Sequence, residues 1–171
     1  MKLENVLNLP EDYSQHPVAY ILIGLPGSGK STWIRNKQNK NDFVIVSSDD
    51  EIDKYAKSQN KTYSEVFDEY IKIATSNMNS NLINAIKNNQ NIIWDQTNLS
   101  AKKRKGIISR LPKHYEKIAV VFEIDDDTLK DRLYNRTKTE GKYIPNSVIE
   151  NMKRTYEFPT KEEGFDEILQ A

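Results

Sequence analysis

The stretch "YILIGLPGSGKSTW", Tyr20 to Trp33, holds three of the chain's six glycines and a single charged residue, Lys30. Its centre fits G-x-x-x-x-G-K-[ST], with Gly24, Gly29, Lys30 and Ser31 in register. The apolar run Val18 to Ile23 reads as a strand that empties into a turn, and helix formers follow the turn. Glycines at such a turn let backbone N–H groups converge where side chains would block them. A concave nest of this kind, closed by a helix N-terminus, binds phosphate oxygens through fixed dipoles. The expected phosphate-binding residues are Gly24, Pro26, Gly27, Ser28 and Gly29, continued by Lys30, Ser31 and Thr32. In this motif the lysine reaches the β- and γ-phosphates and the hydroxyl after it ligates Mg²⁺. The stretch therefore implies ATP, or another nucleoside triphosphate, together with Mg²⁺.

The rest of the composition narrows the classes. A length of 171 residues suits one domain with a real core. The 25 Lys and Arg balance the 25 Asp and Glu, so no global field draws the chain to nucleic acid or a membrane. The absence of cysteine removes disulfides, thiolate catalysis and cysteine-ligated zinc. Two isolated histidines, His16 and His114, argue against a histidine metal site. No apolar run approaches a spanning helix, and "MKLENVLNLPEDYSQHP" lacks a signal peptide's apolar core. The expectation is a soluble, cytoplasmic protein without a membrane partner: a polar leader over 1–17, then one domain over 18–171.

Along that domain, short apolar runs read as strands at 18–23, 43–47, 91–94 and 117–123. Between the second and third, Val66, Phe67, Tyr70, Ile71, Ala74, Met78, Leu82 and Ile86 recur at helical spacing, with Thr62 or Ser64 as the cap. Unalternating apolar strands separated by helices predict an α/β fold, a parallel sheet with helices on both faces. Ligands in such sheets bind at the carboxyl ends of the strands. Those ends carry Asp49 and Asp50 in "VSSDDEID", Asp95 in "WDQTN", and the helix with Arg132 and Arg136 after "FEIDDDTLKDRLYNR".

These residues suit phosphoryl transfer, which needs a metal, a base for the acceptor hydroxyl and cations on the transferring oxygens. Asp49 is the expected general base, with Asp50 as its alternative; either aspartate also suits the N-cap of "DEIDKYAKS". Asp95 sits where a carboxylate positions Mg²⁺ beside Ser31, or else where an aspartate forms a turn. Arg132 and Arg136, four apart on one helix face, suit a lid over about 127–154 that clamps phosphate oxygens; the plainer alternative is a solvated face paired with Asp127, Asp131 or Glu140. "VVFEIDDDT" resembles an aspartyl-phosphate motif only loosely, and acidic residues in a first helical turn are expected from the dipole. The basic run "AKKRKGIISR", 101–110, suits either a solvated helix face or a groove that tracks phosphates.

Together "GLPGSGKSTW", the Asp49 strand end, "DQTNLS", the Arg132/Arg136 pair and "YEFPTKEEGFDEI" resemble the P-loop kinase domain of polynucleotide 5′-kinases. "DQTN" is also similar to the P-loop domain of heterogeneous nuclear ribonucleoprotein U. The first resemblance implies a P-loop NTPase fold with a helical lid, and transfer of the γ-phosphoryl group of ATP to the 5′-hydroxyl of DNA or RNA with Mg²⁺. It further implies that Asp49 is the base, that Arg136 acts on the transferring group and that Arg132 is its neighbour. Where the phage enzyme of that family has a second arginine after its base, this chain has Ile52, and acidic residues surround it. That departure keeps a second expectation open, a kinase of a small hydroxylated metabolite resembling the zeta-toxin type. A third, from the ribonucleoprotein similarity, is a non-catalytic nucleotide-dependent RNA-binding module.

Overall fold

The computed structural model describes residues 16–37 and 42–171, so most of the leader expected at 1–17 lies outside the described residues. Five strands form one sheet: β1 (Val18–Ile23), β2 (Phe43–Val46), β3 (Asn91–Trp94), β4 (Glu116–Val121) and β5 (Glu167–Gln170). Their order is β2-β3-β1-β4-β5 and every neighbouring pair is parallel. The helices among the described residues are α1 (Lys30–Asn36), α2 (Ser48–Ser58), α3 (Tyr63–Lys87), α4 (Ala101–Arg110), α5 (Asp126–Glu140) and α6 (Asn146–Thr155).

The apolar strands are buried on both faces, as a parallel sheet requires. On one face Met78, Leu82 and Ala85 of α3 and Ile107 of α4 pack against Ile21, Ile23 and Trp94. On the other, Trp33 and Ile34 of α1 cover Leu22, Ile93 and Val120. A separate cluster of Ile52, Ala56, Val66 and Ala74 joins α2 to α3 beside the sheet. Thr62 starts α3 through a capping box: its hydroxyl accepts from the Glu65 N–H, and the Glu65 carboxylate accepts from the Thr62 N–H at 2.7 Å.

Several boundaries differ from expectation for identifiable reasons. The strand expected at 43–47 ends at Val46 because Ser47 caps α2, its hydroxyl accepting from the Asp50 N–H at 3.2 Å. Neither Asp49 nor Asp50 is the cap; both stand in the first turn, where the helix dipole favours acidic side chains. The fourth strand runs 116–121 rather than 117–123. β5 was not expected, since "EILQ" is a four-residue edge strand with only Ile168 half-buried. Asp166 secures it, donating its N–H to the Lys117 carbonyl while its carboxylate accepts the Lys117 N–H, both at 2.8 Å.

Candidate active site

Two backbone hydrogen bonds and one from a side-chain amide draw the carboxyl ends of the inner strands together. Asp95 donates its N–H to the Val46 carbonyl at 2.9 Å, and Gly24 donates to Thr97 at 3.0 Å. Asn98, held at φ 49°, donates its side-chain amide to the Leu22 carbonyl at 2.8 Å. The phosphate loop, the start of α2 and Asp95 therefore meet at the carboxyl end of the sheet. With α5 and the segment after it they enclose a cleft of about 1220 Å³.

The loop has the form the motif predicts. Gly27 and Gly29 adopt left-handed φ of 81° and 111°, and a Cβ on Gly24 would fall 2.6 Å from Ser28 Oγ and 2.9 Å from Phe122 Cβ. Ser28 Oγ is buried with no hydrogen-bond partner among the described residues. Lys30 Nζ donates to the carbonyls of Gly24 at 2.7 Å and Leu25 at 3.0 Å, which holds the ammonium across the loop. A left-handed glycine loop, a buried orphan hydroxyl and an inward ammonium fit the phosphates of a nucleotide. Ser31, Thr32 and Asp95 line the same cleft. Among the described residues no three His, Asp or Glu gather into a metal site. A Mg²⁺ would instead rest on the Ser31 hydroxyl, Asp95 and phosphate oxygens, a hard-oxygen set that suits it.

Burial lowers the Lys30 pKa to about 8, opposed by the charges of Asp95 and Asp49 and aided by Arg136. Burial likewise raises Asp95, opposed by Lys30 and reinforced by Asp49 and Asp50. These mutual influences place the base, metal and phosphate candidates within electrostatic reach of one another. A prediction follows from the lysine. Above about pH 8 the free protein holds Lys30 neutral, whereas bound phosphate restores the ammonium, so nucleotide binding takes up a proton there. Affinity then falls as pH rises through that value. Calorimetry at about pH 8.5 in buffers of different ionisation heat is expected to show proton uptake that Lys30→Ala abolishes; identical heats in both buffers contradict it.

Opposite the loop, Asp49 is exposed and accepts a hydrogen bond from the Tyr63 hydroxyl at 2.5 Å. Burial, then the Asp49 charge, pushes the Tyr63 phenol far above its ordinary range, so it remains a donor. Ile52 is fully buried in the α2–α3 cluster and does not face the cleft. The acidic residues around Asp49 are largely engaged. Asp50 pairs with Lys54 at 2.9 Å, Asp53 with Lys142 at 2.6 Å, and Glu51 accepts from Asn81 at 3.2 Å.

On α5, Arg132 Nη1 donates to the Gly27 carbonyl at 3.1 Å, while Arg136 Nε stands 3.7 Å from Glu140. Both arginines line the cleft, so the solvated-face alternative holds only for the contact with Glu140. Eight basic and five acidic side chains line the cleft, a local positive surplus in a neutral chain. Arg136→Ala is expected to lower turnover far more than ATP affinity, because its bond strengthens only as charge shifts in the transition state. Steady-state and binding measurements together check this; a loss confined to ATP affinity would make Arg132 the better catalytic candidate.

Other candidates turn out to be structural. Asp125 caps α5, accepting from the N–H of Thr128 at 2.9 Å and from its hydroxyl at 2.7 Å, which accounts for the phosphatase-like motif. The basic run forms α4, but Arg104 is fully buried and bidentate to Glu163, and no α4 residue lines the cleft. The "PTKEEGFDEI" segment fastens α4 and β4 through Glu163, Phe165 and Asp166. Sequence reasoning missed Tyr63 and Lys142. A tyrosine one place after a helix cap and a lysine in a polar tip carry no motif.

The chain matches the AAA_33 family, described as AAA domain, over residues 20–159. The heterogeneous nuclear ribonucleoprotein U-like protein 2 of Homo sapiens is 26% identical over 156 residues, 86% of this chain and 20% of its own length. The chain thus spans about a fifth of the length of that relative. A chain of the Pnkp1/Rnl/Hen1 complex is 28% identical with TM-score 0.53, covering 71% of this chain and 41% of that one. Shikimate kinase from Acinetobacter baumannii, 14% identical, superposes with TM-score 0.54 over 95% of this chain and 88% of its own. With the family matched across most of its length and the glycine loop and parallel sheet in place, the chain belongs to the AAA_33 family of AAA domains and has the P-loop kinase-like α/β fold.

Proposed function

We propose that the chain is an ATP- and Mg²⁺-dependent kinase that phosphorylates the 5′-hydroxyl of DNA or RNA. The observation that carries the kinase reading is that Lys30, Asp49, Arg132 and Arg136 line one cleft, with Asp49 and Arg136 close enough to act on the Lys30 charge. Lys30 and the loop hold the β- and γ-phosphates; Ser31 and Asp95 would hold a Mg²⁺, which would supply neutralising charge to the phosphate oxygens. The acceptor hydroxyl gives its proton to Asp49 as its oxygen bonds to the γ-phosphorus, and the bond to the bridging oxygen breaks to leave ADP. Arg136 meets the charge that builds on the transferring oxygens.

Two observations support a nucleic-acid acceptor. The cleft has a positive surplus, which suits a ligand bearing phosphodiesters beside the triphosphate. The ion pairs on Asp50 and Asp53 remove much of the repulsion that the sequence "SSDDEID" suggests. The second reading, a small hydroxylated metabolite, is favoured by the carboxylates of Asp50 and Asp53, which line the cleft and offset part of its positive surplus against a phosphodiester. A transfer screen from γ-labelled ATP across 5′-hydroxyl DNA, 5′-hydroxyl RNA, nucleosides and 3′-nucleotides separates them. Label on the oligonucleotides supports the proposal; label only on mononucleosides supports the metabolite kinase.

A further inference from the structure

Tyr63 opens α3, one place after its cap, and stands between the base candidate and the lid. Its hydroxyl donates to Asp49 Oδ1, its ring lies 5.7 Å from that of Phe67, and the Lys142 ammonium sits 4.9 Å from its centroid. The same ammonium is 2.6 Å from Asp53, four residues after Asp49 and therefore on the same face of α2. Lys142 belongs to the lid tip, which is seated on the start of α3. Ser64 donates its N–H to the Gly141 carbonyl at 3.4 Å, and Tyr143 donates its N–H to the Ser64 hydroxyl at 3.2 Å. The approach is close: a Cβ on Gly141, which has φ 65°, would fall 2.5 Å from the Thr62 side chain.

We infer that Tyr63 is a positioning residue for Asp49, and that Lys142 ties this positioning to lid closure. The inference rests on the proposal that Asp49 is the base. An exposed aspartate turns freely about its side-chain torsions, and a fixed donor on Oδ1 leaves Oδ2 to face the acceptor hydroxyl. Lys142 lies against the ring and neutralises Asp53, so Tyr63 is clamped only when the tip is down. Closing the cleft and aiming the base then become one event, which keeps an open lid from spending ATP on water.

The test uses Tyr63→Phe, which keeps the ring and its packing and removes only the hydroxyl. With γ-labelled ATP and a 5′-hydroxyl oligonucleotide, kcat is expected to fall about tenfold, the scale of a lost bond to a charged group. The KM for ATP and the melting temperature are expected to stay near the parent's. In an Asp49→Asn background the same change is expected to add nothing, since Tyr63 acts through Asp49. Lys142→Met is expected to lower kcat in the Tyr63 protein and not in Tyr63→Phe, with Lys142→Arg restoring most of it. A parental kcat in Tyr63→Phe, or equal losses in both Asp49 backgrounds, overturns the inference while leaving the base in place. An Asp49→Asn protein with full activity overturns the base assignment, and the inference with it.

Discussion

Lys30→Ala is expected to cut phosphoryl transfer by on the order of 10²–10³ while the fold survives. The ammonium is the cation that the loop aims inward, bonded to the Gly24 and Leu25 carbonyls. In the proposed reaction its removal takes away the charge that meets the β–γ bridge as that bond breaks. Stability has little to lose, because burial already disfavours the charged form of this lysine. Single-turnover transfer and a thermal melt on the same preparation measure both effects. Near-normal turnover in the variant sinks the phosphate-loop account.

Asp49→Asn is expected to lower turnover by roughly 10²–10⁴, the range of general-base catalysis, with nucleotide affinity little changed. The amide oxygen still accepts from Tyr63, so the side chain keeps its place and loses only the ability to take a proton. Asp50→Asn is the matched control. Since Ser47 caps α2, the control loses the exposed pair with Lys54, about 0.3–0.5 kcal/mol for such an i,i+4 contact, and a favourable charge on the helix dipole, about 0.3–1 kcal/mol. Reversal of the two outcomes moves the base to Asp50; indifference to both places it elsewhere.

Much of the fold was legible because its signals are local. The glycine loop, the four apolar strands and the three- and four-residue spacing in α3 each state their own structure, and together they dictate a parallel sheet. β5 was not legible because its pairing depends on Asp166 and Lys117, 49 residues apart. The buried Arg104 misled for the same reason: within "AKKRKGIISR" nothing distinguishes it from its solvated neighbours until Glu163 arrives from the tail. The candidate site divides likewise. The strand ends bring Lys30, Asp49 and Asp95 to one cleft, and α5 brings Arg132 and Arg136 to it, as their positions predict. Tyr63 and Lys142 become visible only when the α3 cap and the lid tip are seen against each other. Ile52 shows the converse. Standing where the resemblance has a second arginine, it packs between helices, and Asp53 faces Lys142 instead.

The central claim is that this cleft transfers a phosphoryl group to a nucleic-acid end. Its most direct measurement incubates the protein with γ-labelled ATP, Mg²⁺ and one oligonucleotide prepared with either a 5′-hydroxyl or a 5′-phosphate. The account predicts label on the 5′-hydroxyl strand alone, lost with Lys30→Ala and Asp49→Asn. ATP bound at the loop, with label on neither strand while a nucleoside in the same reaction is phosphorylated, would contradict it.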